Sequence, residues 1–486
     1  MSLVAGIDCS TQATKVLVVD QDDGTVVARG AASHQVSGTG GVRETDPQVW
    51  EGALAEALAA TGHAGDLRAV AVAAQQHGLV IVDRSGCPLR PAVLWNDTRS
   101  APQAHSLVEA LGGPAASATK VGSVLTAAFT VTTWAWLRDT DPGLVAATRG
   151  VRLPHDHLTA LLTGAAVTDR SDASGTGWWS PSEERYATEV LELPEVQLDP
   201  ALLPEVLGPQ QAAGAVTAEA AKRFGLEEGV LVAAGAGDNA AAALALGLAP
   251  GEVALSLGTS GTTFAPADRP SADPTGVVAG FAGADGRYLP LTCTLNATLA
   301  VDRVAGWLGI GRDEVEPAGG VVCLPWLDGE RTPNLPGASG TFWGLRHDTS
   351  RGAILQAVYD GVVATLLAGA AELARWTPCR RIGTLVLIGG GARGHNWRQT
   401  VRRLSGLPVR VPECAEPVAY GAAVQAAAVG SGRPPAEVAR AWRAGDGPTL
   451  EPVPPDEDAL HRIAAWREMV TALELRRSPL PGSTAT

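Results

Sequence analysis

The feature that most limits what this chain can fold into occurs twice. Residues 255–264 (LSLGTSGTTF) run apolar strand, Ser/Thr/Gly turn, apolar strand, and residues 5–16 (AGIDCSTQATKV) follow the same plan. An echo at about half the chain length implies two structurally related halves. Around the first copy, Val4–Ile7, Thr14–Val19 and Thr25–Ala31 read as consecutive strands, with a turn at Asp20–Gly24. A helix is expected over Asp46–Ala60, with Asp46 as cap, Pro47 at the first helical position, and Val49, Ala53, Leu54, Ala57 and Leu58 along one face. A strand at Ala69–Ala74 follows, then a hairpin of Leu79–Val82 and Pro91–Leu94 around the Asp83–Gly86 turn. Three strands, a helix and further strands make an α/β chain that does not begin as a βαβ unit. Later, Arg351–Leu367 has apolar residues at helical spacing, and Thr384–Ile388 reads as a buried strand running into Gly389–Gly394. Pro454 and Pro455 open a last helix carrying Ala459, Ile463, Trp466, Val470 and Leu473, and the tail after Arg477 is expected to be disordered.

Composition narrows the function classes. With 486 residues, 45% apolar and 18% charged, the chain is globular and long enough for two or three domains. No apolar run approaches the roughly 18 residues of a membrane span, and MSLVAG lacks the basic-then-apolar start of a secretory signal, so no membrane partner is expected. Six scattered cysteines without a C-x-x-C pair point to reduced thiols, a cytoplasmic location and no zinc site. A net charge of −14 argues against nucleic acid. It leaves a nucleotide open, because backbone N–H groups bind phosphate without net positive charge.

Small-residue loops follow apolar strands at Asp8–Thr14, Gly258–Thr263 and Gly389–Gly394. Each is open to two readings, a tight turn or a phosphate cradle, and none matches the P-loop pattern. Asp8 is either a turn-capping residue or a carboxylate that orients Mg²⁺ through water. Asp238, set among small residues in GAGDNAA, is either an N-cap or a buried base for a hydroxyl proton. Gln75-Gln76-His77-Gly78 ends a strand in hydrogen-bonding side chains of the kind a polyol needs, and Trp95-Asn96-Asp97-Thr98-Arg99 ends the next strand. His155 and His157 have no third ligand spaced to complete a metal site.

Taken together these residues resemble the FGGY family of carbohydrate kinases. The matching motifs are Gly6-Ile-Asp8 with Thr11 and Lys15, Gln75–Gly78, Leu94–Asp97 with Arg99, Asp169 with Ser171-Asp172 and Gly175-Thr176, and Gly237–Ala240. They continue with Ser256–Gly261, Asp328–Pro333 and Ile388–Arg393, in the family's order to about residue 430. The resemblance implies two ribonuclease H-like (actin-like ATPase) domains with a catalytic cleft between them. The sugar side and the catalytic Asp would fall in residues 1–243, the ATP side in residues 244–476, and the tail in 477–486. It implies Asp238 and Asp8 as catalytic residues, with Asp8 near Mg²⁺, and Gln76, His77, Trp95, Asn96, Asp238 and Asn239 as sugar contacts. ATP contacts are implied at Thr11, Gln12, Lys15, Gly258, Thr259, Ser260, Gly390, Gly391, Ala392 and Asn396.

Within the family, glycerol kinases carry Arg-Glu where Gln76-His77 stands, and gluconate kinases usually lack the Trp-Asn-Asp that follows. The resemblance therefore favours MgATP and D-xylulose, phosphorylated at the 5-hydroxyl with Asp238 as base. The alternatives are a kinase for another polyol, ketopentose or sugar acid, and a non-enzymatic actin-like ATP-binding module; a homodimer is left open. Three departures stand out: Ser10 and Ala13 replace glycines of the first loop, and Thr133 stands where Lys is frequent. If the loop demands a positive φ at Ala13, the cost is about 1 kcal/mol or more.

Overall fold

The structure is a computed structural model that describes residues 2–327, 329–378 and 380–477. Every residue of β1 (Leu3–Cys9) is buried, which is why the segment reads as an almost unbroken apolar run. It pairs antiparallel with β2 (Ala13–Asp20), Ile7 opposite Val16 and Asp8 opposite Lys15, and β2 pairs antiparallel with β3 (Val26–Ser33). In α1 (Pro47–Thr61) the Asp46 side chain accepts from the Gln48 N–H, and Gly62 closes the helix in the left-handed conformation. Its buried face is Trp50, Ala53, Leu54, Ala57 and Leu58; Val49, expected in that row, is 40% exposed, and Trp50 rather than Val49 begins the buried stripe. β4 (Leu67–Ala74) lies parallel to β1. After α2 (Pro154–Thr163) and α3 (Arg170–Ala173) come β5 (Ala212–Ala215), β6 (Leu231–Ala233) and α4 (Asp238–Leu246). The sheet order is β5-β6-β4-β1-β2-β3, with β6 and then Ala236–Gly237 parallel to β4.

The hairpin expected at residues 79–94 forms differently. Val80–Val82 pairs with Gly150–Arg152 and Ala92–Val93 with Glu44–Thr45, while only isolated bridges, Leu79 to Val93 and Val82 to Pro88, join the two segments. Partners remote in sequence take the edges that local patterning assigns to each other.

The second sheet repeats the first. β7 (Glu252–Leu257) pairs antiparallel with β8 (Gly261–Phe264), which pairs antiparallel with β9 (Tyr288–Thr294). Following α5 (Thr298–Leu308) and α6 (Arg351–Leu373), β10 (Thr384–Ile388) lies parallel to β7. Then α7 (His395–Ser405) leads to β11 (Val409–Arg410), parallel to β10. The order β9-β8-β7-β10 is that of β3-β2-β1-β4, so the echo in sequence is a repeated α/β topology of the ribonuclease H-like, actin-like kind.

The chain divides into two compact units. One runs to Leu248 and adds Pro266–Pro290 and Cys414–Gly445; the other holds Ala249–Ala265, Leu291–Glu413 and the chain from Asp446. The late segment of the first unit contains α8 (Pro417–Ser431). Its backbone lies so close to β1 that a Cβ on Gly6 would sit 1.8 Å from the Ala419 carbonyl oxygen, and one on Gly421 would sit 1.8 Å from that of Ala241 in α4. Only glycine permits either approach.

In the second unit, α6 is buried almost all round rather than along one stripe. It is long and apolar enough, by length and composition, to cross a membrane, and 78% of its most apolar window is buried inside the protein, as in a core helix. The expectation that no segment approaches such a span is corrected to that extent; glycines and alanines dilute the apolar signal of this helix. The last helix spans Glu457–Arg477, behind the two prolines. The expected tail lies, beyond residue 477, outside the described residues.

Candidate active site

β1, β4 and β6 run parallel, so their carboxyl ends lie at one sheet edge, where open α/β sheets bind ligands. The register sets Cys9 beside Ala74 and Ala74 beside Gly237. Asp8, Gln75–Gly78 and Asp238 are thereby brought side by side from segments that are far apart in sequence.

Asp8 is 3% exposed, and its Oδ1 accepts a 2.6 Å bond from Ser10 Oγ. Burial pushes the carboxyl up to about 7, against the lowering effects of the Ser10 hydroxyl and the Lys15 ammonium. A buried carboxylate so poorly compensated by neighbouring charge fits a divalent cation, which supplies what the protein does not. Neither Ser10 nor Ala13 has a positive φ, so the strain considered for Ala13 is absent. The Ser10 N–H closes the turn onto the Ala13 carbonyl, and its hydroxyl gives Asp8 a donor that glycine would lack. Lys15 is half-buried in a 2.7 Å ion pair with Glu416, a partner 401 residues away that nothing in the local sequence marks. Thr11 Oγ1 links Gln75 Oε1, at 3.3 Å, to Trp95 Nε1, at 3.4 Å, while the Gln12 side chain is exposed and its carbonyl accepts from His34 N–H.

His77 has a φ of 71°, a strained value for a residue other than glycine, at the turn after β4. Its Nδ1 lies 2.6 Å from the Gly175 carbonyl, so Nδ1 carries the proton, and its ring packs between Phe129 and Phe281 with centroids at 5.2 and 5.7 Å. Gln76 is buried on Gly237 and donates to the Ser171 carbonyl at 3.3 Å. Asp97 holds the neighbouring turn through the Arg43 and Arg99 N–H groups and the Arg99 guanidinium, leaving Trp95 and Asn96 half-exposed. Asn96 Oδ1 and Gln75 Nε2 are buried atoms without a hydrogen-bond partner, a state that costs about 1–3 kcal/mol each unless a ligand or water meets them. Thr133 is buried in the helix Thr130–Thr140, and its structure there explains no loss of a lysine.

Asp238 is the first residue of α4; the N-cap is Gly237, so the capping alternative is not the geometry found. Both bonds to its carboxyl use Oδ1, from Asn239 N at 2.7 Å and Asn239 Nδ2 at 2.8 Å. Burial pushes the group up to about 6, with those two bonds holding it lower than burial alone would.

In the second unit the loops after β7 and β10 are neighbours, since Ser256 pairs with Ile388. Gly258 N–H closes on Ser260 O, and Thr298 donates to the Gly258 carbonyl from both N, at 3.0 Å, and Oγ1, at 2.8 Å. Thr259 is exposed at the tip. Gly389 has a φ of 85°, and a Cβ there would lie 2.6 Å from the Leu257 carbonyl oxygen. Beyond it Gly390–Arg393 form a 3-10 turn in which Gly390 faces open space and Gly391 and Ala392 are buried. Asn396 Nδ2 donates to the Arg312 carbonyl at 3.1 Å. Glu330, in the sequence merely one residue of a motif, is a hub: it is buried and accepts from Thr294 Oγ1, Leu295 N, Asn296 Nδ2 and Arg331 N, fixing the segment that leads into Thr298. Asp328, from the same motif, lies outside the described residues. His157 bonds Glu51 at 3.1 Å rather than joining His155.

Comparisons with known proteins agree with this architecture. Residues 3–245 match the N-terminal domain of the FGGY family of carbohydrate kinases, and residues 253–429 its C-terminal domain. A xylulose kinase of Streptomyces rubiginosus and one of Streptomyces coelicolor are each 57% identical over 463 residues, 95% of either chain. The crystal structure of a xylulose kinase from Bifidobacterium adolescentis superimposes with a TM-score of 0.83 at 37% identity, covering 96% of this chain and 99% of the other. The chain belongs to the FGGY family of carbohydrate kinases.

Proposed function

We propose that this chain transfers the γ-phosphate of ATP to the 5-hydroxyl of D-xylulose, giving D-xylulose 5-phosphate. The observation that carries the reading is Asp238: a partly exposed carboxylate raised to about 6, with Oδ1 committed to Asn239 and Oδ2 left to accept a hydroxyl proton. A base with that value is ionised at neutral pH yet takes up a proton readily. The identity to xylulose kinases over nearly the whole chain supports the choice of sugar. Gln76, His77, Trp95, Asn96 and Asn239 would orient the sugar, and the unpartnered Asn96 Oδ1 and Gln75 Nε2 suit its hydroxyls.

Phosphoryl transfer depends on positioning and charge neutralisation more than on covalent chemistry. The backbone and hydroxyls of Thr11, Gln12, Gly258, Thr259 and Ser260 would hold the phosphates, with Lys15 as a cation once released from Glu416. Gly390, Gly391, Ala392 and Asn396 would hold the adenosine. Asp8 would hold Mg²⁺ through water, and the ion would neutralise charge on the phosphates. A cytoplasmic location fits a consumer of ATP with cysteines that are free among the described residues.

The test is a substrate panel: kcat/KM for D-xylulose, L-ribulose, D-ribulose, gluconate and glycerol with MgATP. D-xylulose should lead by at least about tenfold, a difference of roughly 1.4 kcal/mol in transition-state binding. A different leader would move the activity to another sugar, and no turnover with any of them would sink the kinase reading. Asp238→Ala should bind sugar normally and lose nearly all kcat.

A further inference from the structure

The assignment of Asp238 as base makes the path of the preceding residues, Ala234–Gly237, decisive, and three buried side chains from distant elements grip that path. His155 of α2 lies with Nε2 3.1 Å from the Ala234 carbonyl. Gln425 of α8 donates from Nε2 to the Gly235 carbonyl at 2.9 Å. Ser171 of α3 accepts from Gly237 N–H at 3.0 Å. All are at most 1% exposed. Gly235 itself has a φ of 85°, and a Cβ there would lie 2.5 Å from the Val72 carbonyl oxygen and 2.6 Å from His155 Cδ2. The backbone therefore threads between β4 and the imidazole with no slack.

The His155 ring sits among acidic partners that favour its charged form. Nε2 faces a carbonyl, which can only accept, so Nε2 carries a proton, while Nδ1 lies 2.7 Å from Asp172 Oδ2 and shares a proton with that carboxyl. Burial would lower the ring's affinity for its proton, but Asp156 and Asp172 outweigh it. His155, Asp156 and Asp172 offer ligand atoms within 4.8 Å of one another, the pattern of a metal site, and here His155 Nδ1 is engaged with Asp172 Oδ2. Asp172 is fixed in turn by α3, where Asp169 accepts from the Ser171 and Asp172 N–H groups. The Ser171 carbonyl receives Gln76, so one helical turn ties the base to a side chain of the sugar group.

We propose that His155, Ser171 and Gln425 are positioning residues for Asp238, setting where its carboxylate stands relative to the sugar hydroxyl. The proposal rests on Asp238 being the base. A displacement of about 1 Å in such a group costs on the order of a hundredfold in rate. His155→Gln, Ser171→Ala and the shape-conserving Gln425→Met should each lower kcat about 10–100-fold, with KM for ATP within about twofold of the parent.

The deciding measurement pairs each variant with Asp238→Ala and follows single-turnover formation of sugar phosphate. Residues that act through Asp238 should cost nothing further once it is gone, whereas a general structural defect lowers the residual rate again. Losses that multiply in the double variants overturn the proposal, as does a parental kcat in Gln425→Met and Ser171→Ala. Full activity in Asp238→Ala alone would instead remove the base assignment beneath it. Three sites on three elements keep the test open if His155→Gln fails to fold.

Discussion

Asn239→Ala isolates the bond that keeps the proposed base usable. The variant removes the Nδ2 donor, 2.8 Å from Asp238 Oδ1, and keeps the Asn239 N–H donor at 2.7 Å. Hydrogen bonds to a charged group contribute about 1.5–3 kcal/mol, and about 1.4 kcal/mol moves a titration by one pH unit. Taking the lower end, because water replaces part of the lost bond, the carboxyl moves from about 6 to roughly 7. The parent base is then about half ionised at pH 6, and the variant's about one-eleventh, so kcat/KM for the sugar should fall about fivefold at pH 6 from ionisation alone. At pH 8 both are at least about nine-tenths ionised and the ionisation effect vanishes. Any direct loss of sugar contact by Asn239 lowers the whole profile without displacing it. The assay is kcat/KM for D-xylulose from pH 5 to 9 at saturating MgATP, with ADP detected directly. An acid limb below pH 5 in the parent, or one that does not move in the variant, refutes the account.

The same carboxyl makes the ligand-free protein less stable above about pH 6 than at acid pH. Its folded value lies above the ordinary 3.8, so the folded state binds the proton more tightly, and stability falls as pH rises toward about 6 and stays lowered above it. Asp238→Asn should therefore raise Tm at pH 8, by up to about 3 kcal/mol of stability, and leave it nearly unchanged at pH 4; thermal melts at both pH values decide, and equal gains would contradict the linkage. Gly389→Ala should cost about 2 kcal/mol or more, because it combines a positive φ with a blocked Cβ, whereas Gly390→Ala, whose Cβ meets nothing within 4 Å, should melt like the parent. Indistinguishable melts for the two variants would remove the steric argument.

Signals that are periodic and local are legible in the residues alone. The β1–turn–β2 pattern and its repeat at β7–β8 carry the two-fold architecture, and Asp46-Pro47 marks the start of α1 to the residue. α6 loses its outline for the opposite reason: burial on all sides leaves no stripe, so an amphipathic pattern stops short of Leu373. The segments 79–82 and 91–94 look like each other's partners because nothing local announces Gly150–Arg152 or Glu44–Thr45 in that role. The candidate site divides in the same way. Asp8, at the end of a strand, and Gln76, His77 and Asp238, which follow strands, stand out as motif residues. The Glu416 that occupies Lys15, the Glu330 hub, and His155 and Gln425 around Ala234–Gly237 depend on meetings across the chain that no spacing encodes.

The closeness of α8 to Gly6 carries a consequence for how the protein is made. The face of the first sheet at Gly6 is covered by residues that belong to Cys414–Gly445, after the second unit has contributed most of its length. During synthesis the amino-terminal half is therefore expected to keep this apolar strand face uncovered until the carboxyl-terminal segment emerges. A polypeptide ending near Leu248 would lack both α8 and the Gln425 that grips Gly235, and should behave as an aggregation-prone fragment rather than as a sugar-binding module.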